Sequence, residues 1–344
     1  MWVMVMGLTM MAGGKFFVAE NSPPQRVESF KNLMGTRFRI VCYDIDPEKI
    51  KKACAEAFQR ISSLERIMTD YDASSELMQL CARAGEGPIK VSHELFTVLA
   101  ESQRWSEKTG GAFDVTAGPL VQLWRRARRQ KELPDPERLG KARQLVGYQW
   151  LKMDPREQAV TLMRKEMRLD PGGIGKGFAA DEALRVLARY GILRAMIVAG
   201  GEVRVGDAPP GESGWKIGVA SLDSSGEPPT HFLRLKNAAV STSGDAEQFV
   251  LIGGERYSHI VDPRTGLALT GQRSVTVVAM RGTDADPLAT ALNVLDPKKG
   301  IQLVDTLTGV SALYVERTSA GLQTLYSKNW PGKKNLTSPS TPAK

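Results

Sequence analysis

The order in which strand-like and helix-like patterns follow one another constrains this chain more than any other feature. Thr36–Ile45 (TRFRIVCYDI) alternates apolar and polar residues as a strand does, and Pro47–Thr69 carries its apolar residues at helical spacing. A second helix is expected at Glu94–Thr109, where Leu95, Val98, Leu99 and Trp105 lie near one face, and a third at Ala179–Gly191, closed by its glycine. Between and after them AVTLMR, AMIVAGG, WKIGVA, SVTVVAM and VSALYVE read as strands. The regular strand–helix–strand cadence of a doubly wound parallel sheet is missing, so the fold class expected is α+β.

Composition sets the outer bounds. With 42% apolar and 24% charged residues over 344 positions, the chain can bury a core, which excludes a disordered or collagen-like molecule. Residues 1–28 read as a degenerate export signal and linker, 29–326 as the folded domain, and 327–344, rich in Pro and Ser, as a disordered tail. The apolar run near Met1 has signal-peptide length, is too short to span a bilayer, and has no Lys or Arg before it. No cysteine near it could accept a lipid.

The net charge of +8 favours anionic partners. The densest basic run, Arg125–Arg143, is interrupted by LPDPE and lacks interleaved aromatics, so it reads as a solvated helix and loop, and no nucleic-acid partner is expected. Cys42, Cys54 and Cys81 have no C-x-x-C spacing and read as buried apolar residues rather than zinc ligands or a redox pair.

Three short stretches carry chemistry. In RLDPGGIGKGFAADEALRVLARYG, an acid and a glycine cluster precede a helix, a context suited to phosphate binding through backbone N–H groups. It is neither a P-loop, since Gly177 stands where Ser or Thr should follow Lys176, nor a dinucleotide fingerprint, since Gly173, Gly175 and Gly177 run G-x-G-x-G. A glycine turn serving only helix packing is the competing reading; Lys176, a cation among glycines, favours phosphate. The pair Gly200–Gly201 ends an apolar strand and allows either a plain turn or close approach of a ligand.

In GTDADPLATALNVL, Asp286 and Thr290 are four apart on one helical face, and a carboxylate, a hydroxyl and a carbonyl make an oxygen-only site for Mg2+ rather than Zn2+. Helix capping by an Asp before Pro is the alternative. In SHIVDPRTG, His259, one of three histidines, is followed by an acid, a proline turn, a base and a glycine.

Taken in order, MGTRF, DYDASSEL, TGGAFDVTAGPLVQLW, LDPGGIGKGFAAD, AGGEVRVG, VSTSGDAEQF, SHIVDPRTG and ADPLATAL resemble the ApbE family of flavin transferases, the FAD:protein FMN transferases, from about Met34 to Leu292. The resemblance implies a two-lobed, T-fold-related α+β architecture with FAD and Mg2+ in the cleft. It also implies Mg2+-dependent transfer of FMN from FAD to a Thr or Ser hydroxyl through a phosphoester bond, with release of AMP. The acceptors it implies are flavoprotein subunits of bacterial membrane redox complexes. The place it implies is the periplasmic side of the cell envelope, with peripheral membrane association, or the cytoplasm if the N-terminal segment is not a signal.

Carried over by position, Met34, Tyr71, Ala112, Phe113, Asp114, Asp170, Lys176 and the backbone of Ile260 resemble the family's FAD contacts. The carbonyl of Gly173, Asp286, the backbone of Ala289 and Thr290 resemble its metal site. Gly175, Pro171 and Ala246 depart from the family's usual alanine, leucine-like and aromatic residues.

A hydroxyl nucleophile needs somewhere for its proton to go, and His259, with an ordinary imidazole pKa near ~6.5, is the expected base. Asp262 either orients that ring or pins the DPRTG turn, and Arg264 steers a phosphate or an acidic acceptor. His93 and His231 are expected to be structural. Two alternatives share the sequence features: an FAD pyrophosphatase in which water replaces the acceptor, and a carrier that holds FAD without turnover.

Overall fold

The computed structural model describes residues 23–219, 222, 229, 231–244 and 248–331. The signal-like run at residues 1–22, Ala246 and the tail from residue 332 lie outside the described residues. The chain runs through β1 (Gln25–Leu33), β2 (Thr36–Asp44), α1 (Pro47–Met68), α2 (Glu76–Ala82), β3 (Ile89–Lys90), α3 (His93–Lys108), α4 (Gly118–Gln130) and α5 (Pro136–Gln144). Then follow β4 (Leu151–Asp154), β5 (Ala159–Leu162), α6 (Gly175–Arg189), β6 (Ala195–Ala199), β7 (Glu202–Val205), β8 (Trp215–Val219), β9 (His231–Leu235) and β10 (Ala238–Gly244). The remainder is β11 (Phe249–Ile252), β12 (Glu255–Val261), β13 (Ala268–Thr270), β14 (Gln272–Ala279), α7 (Gly282–Val294), α8 (Pro297–Asp305), β15 (Ser311–Thr318) and β16 (Gly321–Tyr326).

The main sheet has eight strands in the order β1-β2-β6-β7-β10-β14-β15-β16, every pair antiparallel. Its strands alternate in sequence, so each face takes a different cover. On β2, Phe38, Ile40 and Cys42 point into the helix-side core, while Val41 points the other way. There Val41 joins Val205, Val240 and Val278 beneath Trp215, Ile217 and Leu233 of the β8–β9 ribbon. Helices α1, α6 and α7 cover the first face, which makes the molecule α+β with helices gathered on one side of an antiparallel sheet.

A smaller body packs Leu120, Trp124 and Ala127 of α4 and Ala142 of α5 against Val261 and Ala268 of the three-stranded sheet β11-β12-β13.

Local chemistry explains the helix starts. Asp46 accepts from Glu48 N at 3.0 Å and Lys49 N at 3.1 Å with Pro47 in the first turn, and Ile50, Ala53, Ala57, Ile61 and Leu64 form the buried stripe of α1. Ser92 caps α3 through Leu95 N.

Two boundary expectations change. The linker expected to run to residue 28 contains the start of β1, because Gln25–Leu33 pairs along its whole length with β2 through a two-residue turn at Met34–Gly35. Folded structure thus begins before residue 29. At the other end Ser327 and Trp330, expected in a disordered tail, are buried; Ser327 Oγ accepts from Ala312 N at 3.0 Å and Trp330 fills the ribbon-side core. Among the described residues no helix is long and apolar enough to cross a membrane.

Candidate active site

The centre of the site is the crossing of α6 and α7. A Cβ on Gly177 would stand 2.2 Å from the Gly282 carbonyl oxygen, and one on Gly282 would stand 2.4 Å from that of Gly177, so the two backbones touch where both residues lack side chains. This approach lets Gly177 N donate to Asp286 Oδ2 at 3.0 Å, placing a buried carboxylate on the positive end of α6. One turn on, Thr290 faces Gly173: a Cβ on Gly173 would lie 3.0 Å from Thr290 Oγ1 and 3.2 Å from the Phe113 ring. The structure thus brings Asp286, Thr290 and Gly173 together at this crossing.

Asp286 does not cap its own helix. α7 begins at Gly282, ahead of it, and the cap comes from α6: Asp181 accepts from Gly282 N at 3.0 Å, Thr283 N at 2.9 Å and Thr283 Oγ1 at 2.7 Å, and from Arg204 Nε at 2.7 Å. Asn293 Nδ2 donates to the Ala289 carbonyl at 2.9 Å, so this expected metal donor, like Asp286, already has a protein partner.

The glycine loop departs from its expected role. Its N–H groups at Gly172, Ile174, Gly175 and Gly177 are bound by Asp170 Oδ1, the Pro171 carbonyl, the same carbonyl and Asp286, so most of the loop's donors serve the protein rather than a phosphate. The cation that remains is Lys176. Its ammonium is held above the usual lysine range by the negative charge of Asp286, against the effect of burial, with Glu202 and Asp170 adding to it.

Glu202 is a site residue that the sequence reading missed. It opens β7 directly after the Gly200–Gly201 turn, is buried, and accepts from Ser241 Oγ at 2.7 Å. Burial, then the charge of Asp286, pushes its carboxyl well above the ordinary range, while Lys176 pulls the other way. A carboxylate immediately after a strand-ending glycine pair was the available signal. A Cβ on Gly201 would lie 2.4 Å from the Thr242 carbonyl oxygen, which is why glycine occupies that turn.

The expected FAD contacts divide. Met34, in the left-handed region at φ +50, caps the β1–β2 turn; its N–H donates to Glu65 Oε1 at 2.6 Å and its Cε stands 3.8 Å from where a Gly175 Cβ would be. Tyr71 is 80% exposed, the highest among the large apolar side chains of the described residues, with the Arg125 guanidinium 4.7 Å from its ring centre. Arg125 ties this ring to the loop by pairing with Asp70 and, at 2.9 Å, with Asp170 Oδ2. Burial raises the Asp170 carboxyl, and Arg125 opposes this. Ala112 and Phe113 are buried beside Gly173 and the core.

Asp114, expected as a FAD contact, has its carboxylate engaged within the protein. It is buried and accepts from Thr116 N, Thr116 Oγ1 and Tyr148 N at 2.8, 2.7 and 2.8 Å, so its carboxylate fixes a turn. Burial raises its pKa.

His259 lies on β12, which packs against α7. Its backbone N–H donates to the Gln248 carbonyl at 3.0 Å and its Nδ1 lies 3.2 Å from the same oxygen. A carbonyl only accepts, so this contact puts the ring proton on Nδ1 and makes Nε2 the basic nitrogen. The pairing of β12 with β13 shifts register between Tyr257 and Val261, an irregularity that re-aims the strand at His259. Ile260 N is bound by Ser258 Oγ at 3.1 Å.

Of the two uses left open for Asp262, the structure shows the turn. Its carboxylate holds Arg264 by two 2.9 Å bonds from Nε and Nη2 and a third from Arg264 N, and Gly266 N closes on its carbonyl. Arg264 also reaches the Val294 carbonyl, so its guanidinium is committed to the turn and to α7 rather than to a steered ligand.

Against known proteins, the model of the ApbE family matches residues 34–314. The FAD:protein FMN transferase of Treponema pallidum (strain Nichols) is 32% identical over 330 residues, 90% of each chain. That of Escherichia coli (strain K12) is 26% identical over 314 residues, 86% of this chain and 88% of its own. Among solved structures the flavin transferase ApbE from Vibrio cholerae superposes with a TM-score of 0.80 at 28% identity, covering 89% of this chain and 98% of its own.

Proposed function

The chain belongs to the ApbE family, and from that membership we propose that it transfers FMN from FAD to a Thr or Ser hydroxyl of an acceptor protein, releasing AMP. The observation that carries this reading is the oxygen-only cluster at the α6–α7 crossing, with Lys176 beside it. Asp286 and Glu202 are both buried, and the charge of Asp286 adds to burial in raising the Glu202 carboxyl. A buried carboxylate beside a hydroxyl and a backbone carbonyl makes a hard-oxygen donor set that fits Mg2+.

Asp286, Thr290 and the Gly173 carbonyl would hold the ion. Bound there, Mg2+ supplies charge neutralisation on phosphate oxygens. Lys176 adds a second positive charge toward the pyrophosphate. Tyr71, backed by Arg125, and Met34 offer apolar surfaces to the flavin and adenine rings. The acceptor oxygen forms a bond to the FMN phosphorus as the bond to the bridging oxygen breaks, the electron pair leaves with AMP, and His259 Nε2 takes the hydroxyl proton.

The acceptors proposed are flavoprotein subunits of bacterial membrane redox complexes, reached on the periplasmic side with peripheral membrane association; the apolar run near Met1 supports export. Cell fractionation tests that placement, and recovery of the chain in the cytoplasm alone would overturn it.

Mass spectrometry of such an acceptor, after incubation with enzyme, FAD and Mg2+, is expected to show the FMN adduct. His259→Ala should abolish the adduct and keep FAD binding. Free FMN and AMP without adduct would point to a pyrophosphatase, and bound flavin without AMP to a carrier.

A further inference from the structure

A groove of about 740 Å3 opens between α2, α4, α5 and the segment that leads into the glycine loop. Its rim is cationic: Arg126 and Arg129 from α4, Arg138 and Lys141 from α5, and Arg168, against the single carboxylate of Glu166. Among the described residues the side chains of Arg129, Arg138 and Arg168 make no hydrogen bond or ion pair. Arg126 reaches only Gln130, and Lys141 is paired with Glu137 at 2.6 Å. Apolar side chains line it as well, Met78, Ala82, Leu123 and Met167 among them.

The arrangement of these charges selects the ligand. Arg126 and Arg129 are three apart on one helix, and so are Arg138 and Lys141 on the other, so each pair is spread by about 4.5 Å along its axis. Cations spread along two helices, with apolar side chains in the same groove, are more extended than a site for one phosphate needs. They suit an extended chain that carries carboxylates along its edges and apolar side chains beneath.

The groove's residues lie close to those of the site along the chain. Arg126 and Arg129 lie next to the α4 face from which Arg125 pairs with Asp170, and Arg168 precedes Asp170 by two residues.

We propose that this groove docks an acidic, partly apolar segment of the acceptor protein, holding it so that the modified hydroxyl can reach the cleft. This rests on the transferase reading for the identity of the partner, while the groove's ligand chemistry stands on its own charges.

The test uses the full chain and a fluorescein-labelled peptide of alternating glutamate and leucine. The wild type is expected to bind it by anisotropy, more weakly as salt rises. The double variant Arg129→Glu/Arg168→Glu should lose at least about tenfold in affinity while keeping FAD binding and AMP release to water within about twofold. With an acceptor that the wild type labels, the variant should raise the acceptor KM about tenfold at unchanged kcat.

Failure of the wild type to bind the peptide, or equal binding by the variant, would overturn the proposal. So would binding to phosphatidylglycerol vesicles that is lost in the variant and that the peptide does not compete away. Peptide binding lost in the variant, with no FMN transfer by the wild type to any acceptor, would overturn the transferase reading and leave the groove's ligand chemistry standing.

Discussion

Asp286 Cβ would be 2.9 Å from a methyl group on Gly177, and the Gly282 carbonyl closer still, so no side chain fits between α6 and α7 without moving one of them. Gly177→Ala is therefore expected to cost about 1–3 kcal/mol of stability by overpacking and to lower AMP release with it. Urea unfolding together with an AMP assay checks this, and an alanine variant as stable and active as wild type would show that the helices can slide apart. Lys176 makes a different prediction. Because Asp286 holds its ammonium above the usual range, it stays charged throughout neutral pH, and Lys176→Met should raise the KM for FAD without shifting the pH at which turnover rises. A shift in that pH would assign the titrating proton to Lys176 rather than to His259.

At the scale of elements, α7 is buried on nearly all sides, and what sets its position is a cap borrowed from α6. Asp181→Ala would leave two N–H donors and a hydroxyl of α7 without their acceptor and Arg204 without its charge partner. A loss of about 3 kcal/mol is expected by urea unfolding, as for breaking a buried ion pair.

The clasp between α1 and α3 is more exposed and responds to pH. Arg60 bonds to Glu94 at 2.8 Å and holds its carboxyl below the ordinary glutamate range. The folded pKa lies below the unfolded value of about 4.3, so the pair's contribution is complete above that value and disappears as pH falls through the depressed folded pKa. Glu94→Gln should flatten the acid limb of stability between about pH 5 and pH 3 and cost about 0.5–1 kcal/mol at neutral pH. Urea midpoints across that range read both effects.

Over the whole molecule, the main sheet needs a cover on each face, and the chain's last described residues supply part of one. Trp330 is 4% exposed against the ribbon-side core, and Ser327 bonds to Ala312 N. Ending the chain after Tyr326 is expected to cost about 3–5 kcal/mol, as for removing a buried tryptophan, whereas ending it after Pro331 should cost far less. Thermal unfolding of the two truncated chains separates them.

Much of this was legible in advance because its signals are local. The period of apolar residues marked α1, α3, α6 and the strands β2, β5, β6, β8, β14 and β15, and the i, i+4 spacing of Asp286 and Thr290 put both on one helical face before any fold was known. The partnerships were not legible. Nothing near Asp181 in sequence says that it caps a helix a hundred residues away, nothing near Glu202 says that it shares a buried pocket with Asp286, and Arg125 sits in a basic run that looks solvated while its guanidinium holds two aspartates and a tyrosine ring. Spacing along the chain reports which side chains share a face. Which faces meet, and which charges are thereby stripped of water and forced to answer one another, follows only when the sheet and its helices close over them.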